Sequence, residues 1–90
     1  MKKVYLDNAA TTQLDPKVVD EMTSVLVNSF GNPSSTHFFG RDSKTIIELS
    51  RKFIAQTFNV KPSEIFFTSG GTESNNMIIK SCIKFGVERI

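Results

Sequence analysis

One cysteine, one histidine and no tryptophan stand among the ninety residues. A lone cysteine excludes a disulfide framework and argues against a cysteine-based zinc site. A lone histidine excludes a multi-histidine metal site built within the chain. No apolar run approaches the roughly 20 residues that a membrane span needs. Glycine (5) and proline (3) are too scarce for a collagen-like or low-complexity chain, and 8 phenylalanines are too many for a disordered one. A secretory h-region is missing as well. Lys2 and Lys3 resemble a signal n-region, but only Val4, Tyr5 and Leu6 follow before Asp7, so a cytoplasmic protein is expected. The unpaired Cys82 agrees with that compartment.

What is present fits one small globular domain or a part of one. The chain is 39% hydrophobic and 22% charged, with a mean hydropathy of −0.14 and a net charge of +2. Residues 1–40 carry a local charge of −1 and residues 41–90 one of +3. The basic residues of the second half alternate with acids, as on a solvated helix face. A nucleic-acid binder clusters them, so no nucleic-acid partner is expected, and no membrane partner either.

The pattern predicts an α/β arrangement of three helices and one central strand, with an incomplete sheet. Residues 1–15 read as a short extended segment, Val4-Tyr5-Leu6, and a small polar loop, Asn8-Ala9-Ala10-Thr11-Thr12. Residues 16–62 read as two helices. Asp15 suits an N-cap and Pro16 the first helical position. Val18, Val19, Met22, Val25 and Leu26 then form a helical stripe, stopped by Gly31-Asn32-Pro33. Ser34, Ser35 or Thr36 can cap the second helix. Ile46, Ile47, Phe53, Ile54 and Phe58 share one face of it, with Leu49 filling in. Arg41, Lys44, Glu48, Arg51 and Lys52 mark its wet side, and Asn59 and Pro62 end it.

Residues 63–90 read as a strand, a turn, a third helix and the start of another strand. Glu64–Ser69 forms the strand, and its consecutive Ile65, Phe66 and Phe67 suit burial on both faces. Gly70-Gly71 breaks it and Thr72 caps the third helix. Ile78, Ile79, Cys82 and Ile83 mark the buried side of that helix. Gly86 suits its C′ position, and Val87–Ile90 opens the next strand. A doubly buried strand needs parallel neighbours and covering helices that this length does not supply. A piece of a larger α/β protein is therefore expected, with apolar surface left exposed and prone to self-association.

The sharpest feature is the strand–Ser69-Gly70-Gly71-Thr72–helix passage. A helix N-terminus offers free amides and a partial positive charge, glycines admit a ligand close to the backbone, and Thr72 adds a hydroxyl. That combination holds phosphates. It is neither a nucleotide P-loop, which needs Gly-Lys-Ser/Thr, nor a Gly-x-Gly-x-x-Gly dinucleotide turn. An αL turn with a good N-cap and no ligand explains the same residues, and the segment alone does not choose.

Four blocks, Tyr5-Leu6-Asp7-Asn8-Ala9-Ala10-Thr11-Thr12, Phe30-Gly31-Asn32-Pro33-Ser34-Ser35, His37 with Gly40-Arg41, and Phe67-Thr68-Ser69-Gly70-Gly71-Thr72-Glu73-Ser74-Asn75-Asn76, together resemble the N-terminal part of the cysteine desulfurases of the NifS/IscS-like branch. They span nearly the whole chain in the family's order and spacing. The resemblance implies the N-terminal piece of a fold-type-I enzyme dependent on pyridoxal 5′-phosphate (PLP). It implies Gly71 and Thr72 as the residues on the cofactor phosphate. It puts Asn8, Ala10 and Thr11 near the substrate pocket, where small residues leave room for an amino acid; a structural turn is the alternative there.

The reaction implied is L-cysteine to L-alanine, with sulfur passed to an enzyme cysteine as a persulfide. The expected partners are the L-cysteine substrate, a second copy in a homodimer, and sulfur-acceptor proteins. In the family, the lysine that holds the cofactor, the acid at its pyridine nitrogen, the histidine stacked on its ring and the persulfide cysteine come from blocks beyond Ile90. No catalytic residue and no metal ligand is therefore assigned here, and the ninety residues alone are expected to be inactive. His37 reads as a loop or cap residue, Cys82 as core, and Arg41 and Arg89 as surface residues, with Arg41 pairing with Asp42 or Glu48. A related class V aminotransferase, lyase or epimerase is the alternative within the same chemistry. A non-catalytic binding or assembly module is the alternative outside it.

Overall fold

A computed structural model describes residues 1–89. It contains three α-helices, α1 (Pro16–Asn28), α2 (Phe38–Phe58) and α3 (Gly71–Lys84), and a short 3-10 helix, Pro62–Glu64. The chain divides into two compact units, Met1–Leu49 and a second that starts at Ser50, so α2 contributes its first half to one and its second half to the other.

In the first unit, α1 begins as its sequence dictates. The Asp15 carboxylate accepts the Lys17 amide at 2.8 Å, and Pro16 follows it at the start of the helix. The helix ends at Asn28, slightly before the expected Gly31 stop. Ser29 caps it, donating its amide to the Val25 carbonyl. The Ser29 carbonyl accepts the hydroxyl of the buried Ser43, and the Ser29 hydroxyl meets Asp42, each at 3.1 Å. These two bonds tie the end of α1 to the beginning of α2.

The N-cap of α2 corrects the expectation of Ser34, Ser35 or Thr36. Those residues belong to the preceding turn, where Asn32 accepts the amides of Ser34 and Ser35 through its side chain and carbonyl. His37 directly precedes the helix. Its Nδ1 accepts the Gly40 amide at 3.3 Å and its carbonyl accepts the Arg41 amide at 3.1 Å. The cap role expected for His37 is therefore met. Arg41 donates to the Thr36 carbonyl rather than pairing with Asp42, which serves Ser29 instead.

Gly40 is buried beneath that turn. A Cβ there would lie 2.3 Å from the Ser35 carbonyl oxygen and 2.6 Å from that of Asn32. Gly31 faces the same limit, at 2.2 Å from the Phe39 carbonyl oxygen. Both glycines are required because backbones touch.

The second unit is organised around Arg51, which the sequence pattern puts on the wet side of α2. Arg51 is half-buried. Its guanidinium donates to the Ile65 carbonyl and lies 4.9 Å from the Phe67 ring centroid, a cation–π distance. The sheltered stripe of α2 accordingly runs through Gly40, Ser43, Ile47, Arg51, Ile54 and Ala55, while Phe53 and Phe58 are 71% exposed. Asn59 ends α2 as expected, in the left-handed region at φ 53°. Its amide bonds the Gln56 carbonyl and that of Val60 the Ala55 carbonyl, the pattern of a Schellman cap. Gly86 (φ 74°) closes α3 the same way, through Gly86 to Ile83 and Val87 to Cys82.

The expected strand Glu64–Ser69 is not formed as a hydrogen-bonded strand, and the described residues contain no strand at all. Glu64 belongs to the 3-10 helix and Ile65 has extended dihedrals (φ −100°, ψ 124°). The Ile65 amide bonds the Pro62 carbonyl and its own carbonyl accepts from Arg51, and no segment pairs with it among the described residues, whereas a ladder needs a neighbour. The strand expected to open at Val87 runs into Ile90, outside the described residues, and Val87–Arg89 form none. The faces expected to be buried are open for the same reason. On α3, Ile78, Ile79 and Ile83 are exposed, and Cys82 is half-buried rather than core.

Gly40→Ala is expected to destabilise the protein by about 1–3 kcal/mol, because the carbonyls it meets belong to the backbone and cannot swing away. Gly70→Ala, whose Cβ meets nothing within 4 Å, should change stability by under about 0.5 kcal/mol. Urea unfolding of both variants checks this, and equal midpoints would contradict it.

Candidate functional site

The passage from Thr68 into α3 gathers hydroxyls, a carboxylate and open amides within the second unit. Gly70 is the N-cap of α3, which corrects the expectation of Thr72; Thr72 lies inside the first turn. Gly70 has an extended backbone (φ 165°), and Gly71 is already helical. The αL turn that offered a ligand-free reason for this glycine pair is therefore not present. Nor does packing require them, since a Cβ on either meets nothing within 4 Å. The two glycines leave the approach to the helix start clear.

An α-helix leaves its first amides without intrahelical partners. Here Gly70 supplies no side-chain cap. The Ser74 amide returns to the Gly70 carbonyl at 3.2 Å. Among the described residues, nothing accepts a proton from the amides of Gly71, Thr72 or Glu73, and nothing engages the Thr72 hydroxyl. An anion at this point would meet aligned donors and the positive end of the helix dipole, the latter contributing about 0.3–1 kcal/mol. Hydrogen bonds to a charged partner contribute about 1.5–3 kcal/mol each, so the amides and not the dipole would dominate.

Glu73 is the residue that the sequence reading passed over. Its carboxylate accepts the Ser69 amide at 2.8 Å and the Ser69 hydroxyl at 2.5 Å. These bonds stabilise the ionised form and hold its pKa below the ordinary carboxyl value. The signal available was a Ser followed four residues later by a Glu across a helix start, one step longer than a capping box. Beside it, the Thr68 and Ser74 hydroxyls lie 2.7 Å apart, and each also reaches the Gly70 carbonyl at 3.2 Å.

The residues expected at a substrate pocket belong to the first unit and are described there. Asn8 and Ala10 sit in an exposed turn closed by the amides of Ala10 (3.1 Å) and Thr11 (3.3 Å) on the Asp7 carbonyl. The Tyr5 hydroxyl reaches the same carbonyl at 2.9 Å and also meets the Thr11 hydroxyl. Asn8, Ala10 and Thr11 thus share one turn, apart in sequence and in compact unit from Gly71 and Thr72. Among the described residues no cluster of histidine, cysteine and acidic side chains could hold a metal ion. No helix there is long and apolar enough to cross a membrane.

The start of α3 is thus an open helix N-terminus behind paired glycines. The family model described as "Aminotransferase class-V" matches residues 4–89, and the chain belongs to that family. Among its relatives, the cysteine desulfurase IscS of Dictyoglomus turgidum is 56% identical over 79 residues, covering 88% of this chain and 20% of that protein. The selenocysteine lyase of Homo sapiens is 48% identical over 83 residues, covering 92% and 19%. The cysteine desulfurase of Rattus norvegicus is 46% identical over 86 residues, covering 94% and 19%. The chain spans about a fifth of the length of these curated relatives.

Because the Glu73 pKa is lowered on folding, the bond to Ser69 contributes fully above the unfolded carboxyl pKa and is lost as pH falls through the lower folded one. The Ser69 amide resonance, followed by NMR during acidification, should therefore titrate with a midpoint below that of an unperturbed glutamate. A midpoint at or above the ordinary value would contradict the bond.

Proposed function

We propose that the chain is the N-terminal part of a PLP-dependent fold-type-I enzyme of the cysteine desulfurase kind. Its Gly71 and Thr72 amides and the Thr72 hydroxyl would hold the cofactor phosphate. The observation that carries this reading is the open first turn of α3: unclaimed amides behind two glycines that neither dihedral angle nor packing requires. The donor set fits the group, since amides and a hydroxyl suit a phosphate ester and leave no competing cation. When bound, PLP supplies an electron sink for charge developing at the substrate Cα.

The part played by these residues is to bind and orient. The phosphate end would be anchored at α3, which sets where the reactive end of the cofactor points. In this reading the Ile65–Thr68 segment joins the parent's central sheet, and the exposed apolar face of α3 becomes interior. Asn8, Ala10 and Thr11 would form part of the wall against which the amino acid lies, their small size leaving room for it. None of the eight lysines of this chain stands in a Ser-x-His-Lys setting. The residue that holds the reactive end of the cofactor and the cysteine that takes the sulfur would come from elsewhere in a homodimeric parent, which would pass sulfur to acceptor proteins.

A second reading is favoured by the human relative, named a selenocysteine lyase, whose 48% identity lies between those of the two desulfurases, 56% and 46%. Both readings release alanine and differ in the chalcogen removed. The full-length enzyme supplied with L-cysteine and L-selenocysteine separates them. Alanine from cysteine, with sulfur left on the protein, is the expected result. Turnover confined to selenocysteine selects the lyase, and alanine from neither substrate contradicts both readings. The ninety residues alone should give no alanine from either.

A further inference from the structure

Building on the reading that the start of α3 holds a phosphate, we propose that Glu73 is the positioning residue of that turn. Its carboxylate ties Ser69 to the helix and so fixes the direction in which the Gly71 and Thr72 amides point.

The geometry that carries this is a bridge over two glycines. Ser69 lies before Gly70-Gly71 and Glu73 after them, and the carboxylate holds Ser69 by two short bonds, amide and hydroxyl. On its open side neither glycine has a neighbour within 4 Å of an added Cβ, and on the helix side the Ser74 amide holds the Gly70 carbonyl. Gly70 is the N-cap and glycine has the most conformational freedom to lose, so without the Ser69–Glu73 bonds the first turn of α3 and its outermost amides would fray more readily. A bound phosphate would then have to order them. A tether that orders them beforehand lowers that cost.

The Gly70 carbonyl is managed in the same way. An oxygen facing a phosphate would repel it. That carbonyl is occupied by the Ser74 amide and approached by the Thr68 and Ser74 hydroxyls. Donors are thus left free on the open side while acceptors are tied down within the chain. The Glu73 carboxylate is tied down too: its Oε2 is committed to Ser69, and the bonds that lower its pKa are the same two.

A carboxylate close to a phosphate has an opposing effect, because like charges repel. The two effects predict opposite signs for neutralising it. If Glu73 were only a nearby charge, Glu73→Gln would tighten phosphate binding. If it positions the turn, Glu73→Gln keeps a weaker, neutral acceptor for Ser69 and binding weakens, while Glu73→Ala removes the acceptor and weakens it more.

The test measures affinity of the full-length apoprotein for PLP and for pyridoxal, which has the same ring without the phosphate, by the absorbance of the bound cofactor. Relative to wild type, Glu73→Ala should weaken PLP binding about tenfold and Glu73→Gln about threefold, with pyridoxal affinity unchanged in both. Binding of PLP by Glu73→Gln as tight as wild type or tighter overturns the proposal. So does an equal loss of PLP and pyridoxal, which would make Glu73 a support of the fold alone. Should Glu73→Ala fail to fold, the PLP-to-pyridoxal ratio of Glu73→Gln decides by itself. If wild type holds PLP no better than pyridoxal, the phosphate reading of the turn has failed in its own right, and this proposal falls with it.

Discussion

Three backbone amides at the start of α3 have no acceptor among the described residues, and the rest of the site is arranged around them. Any helix start has such amides, and side-chain caps usually satisfy some of them. Here the N-cap is a glycine with nothing to offer, and the nearest carboxylate is spent one residue upstream on Ser69. Thr72, the other natural capping side chain nearby, has moved inside the helix, where its hydroxyl can face the same side as the amides. The result is a concentration of donors with a clear approach.

α3, which this turn opens, is an amphipathic helix whose apolar residues Ile78, Ile79 and Ile83 are exposed among the described residues. Phe66, Met77, Ile78, Cys82, Phe85 and Val87 line an open groove of about 510 Å3 beside α3. The segment from Ile65 to Thr68 beside it forms no strand, and the Ile65 amide and carbonyl bond Pro62 and Arg51 instead. Hydrophobic burial stabilises at about 25 cal/mol per Å2, so these surfaces represent stabilisation not realised within the described residues. The local order has other sources. Schellman caps at Asn59 and Gly86, backbone contact at Gly40, and the Arg51 bond to the Ile65 carbonyl each act over short range.

Features set by neighbouring residues were legible in the sequence. Asp15-Pro16, Asn59 and Gly86 each do what their side chains and allowed dihedrals dictate, with no help from distant chain. Features set by contacts across the fold were not. His37 became the cap of α2 because Ser34 and Ser35 are held in the Asn32 turn, and Arg51 changed faces because Phe67 and the Ile65 carbonyl sit beside it. Glu73 was missed because its partner lies four residues back rather than three. The strand expected at Glu64–Ser69 did not form among the described residues, because pairing belongs to two segments and cannot be read from one. Gly71 and Thr72 do share an open helix start, as their pattern suggested. The turn holding Asn8, Ala10 and Thr11 offers small exposed residues, and nothing in its own geometry selects a substrate.

The most direct measurement is a crystal structure of the full-length enzyme bound to pyridoxal 5′-phosphate. The account predicts phosphate oxygens about 2.7–3.2 Å from the amides of Gly71 and Thr72, with the Glu73 carboxylate still on Ser69. A phosphate held elsewhere, with those amides facing solvent or another part of the chain, would contradict it.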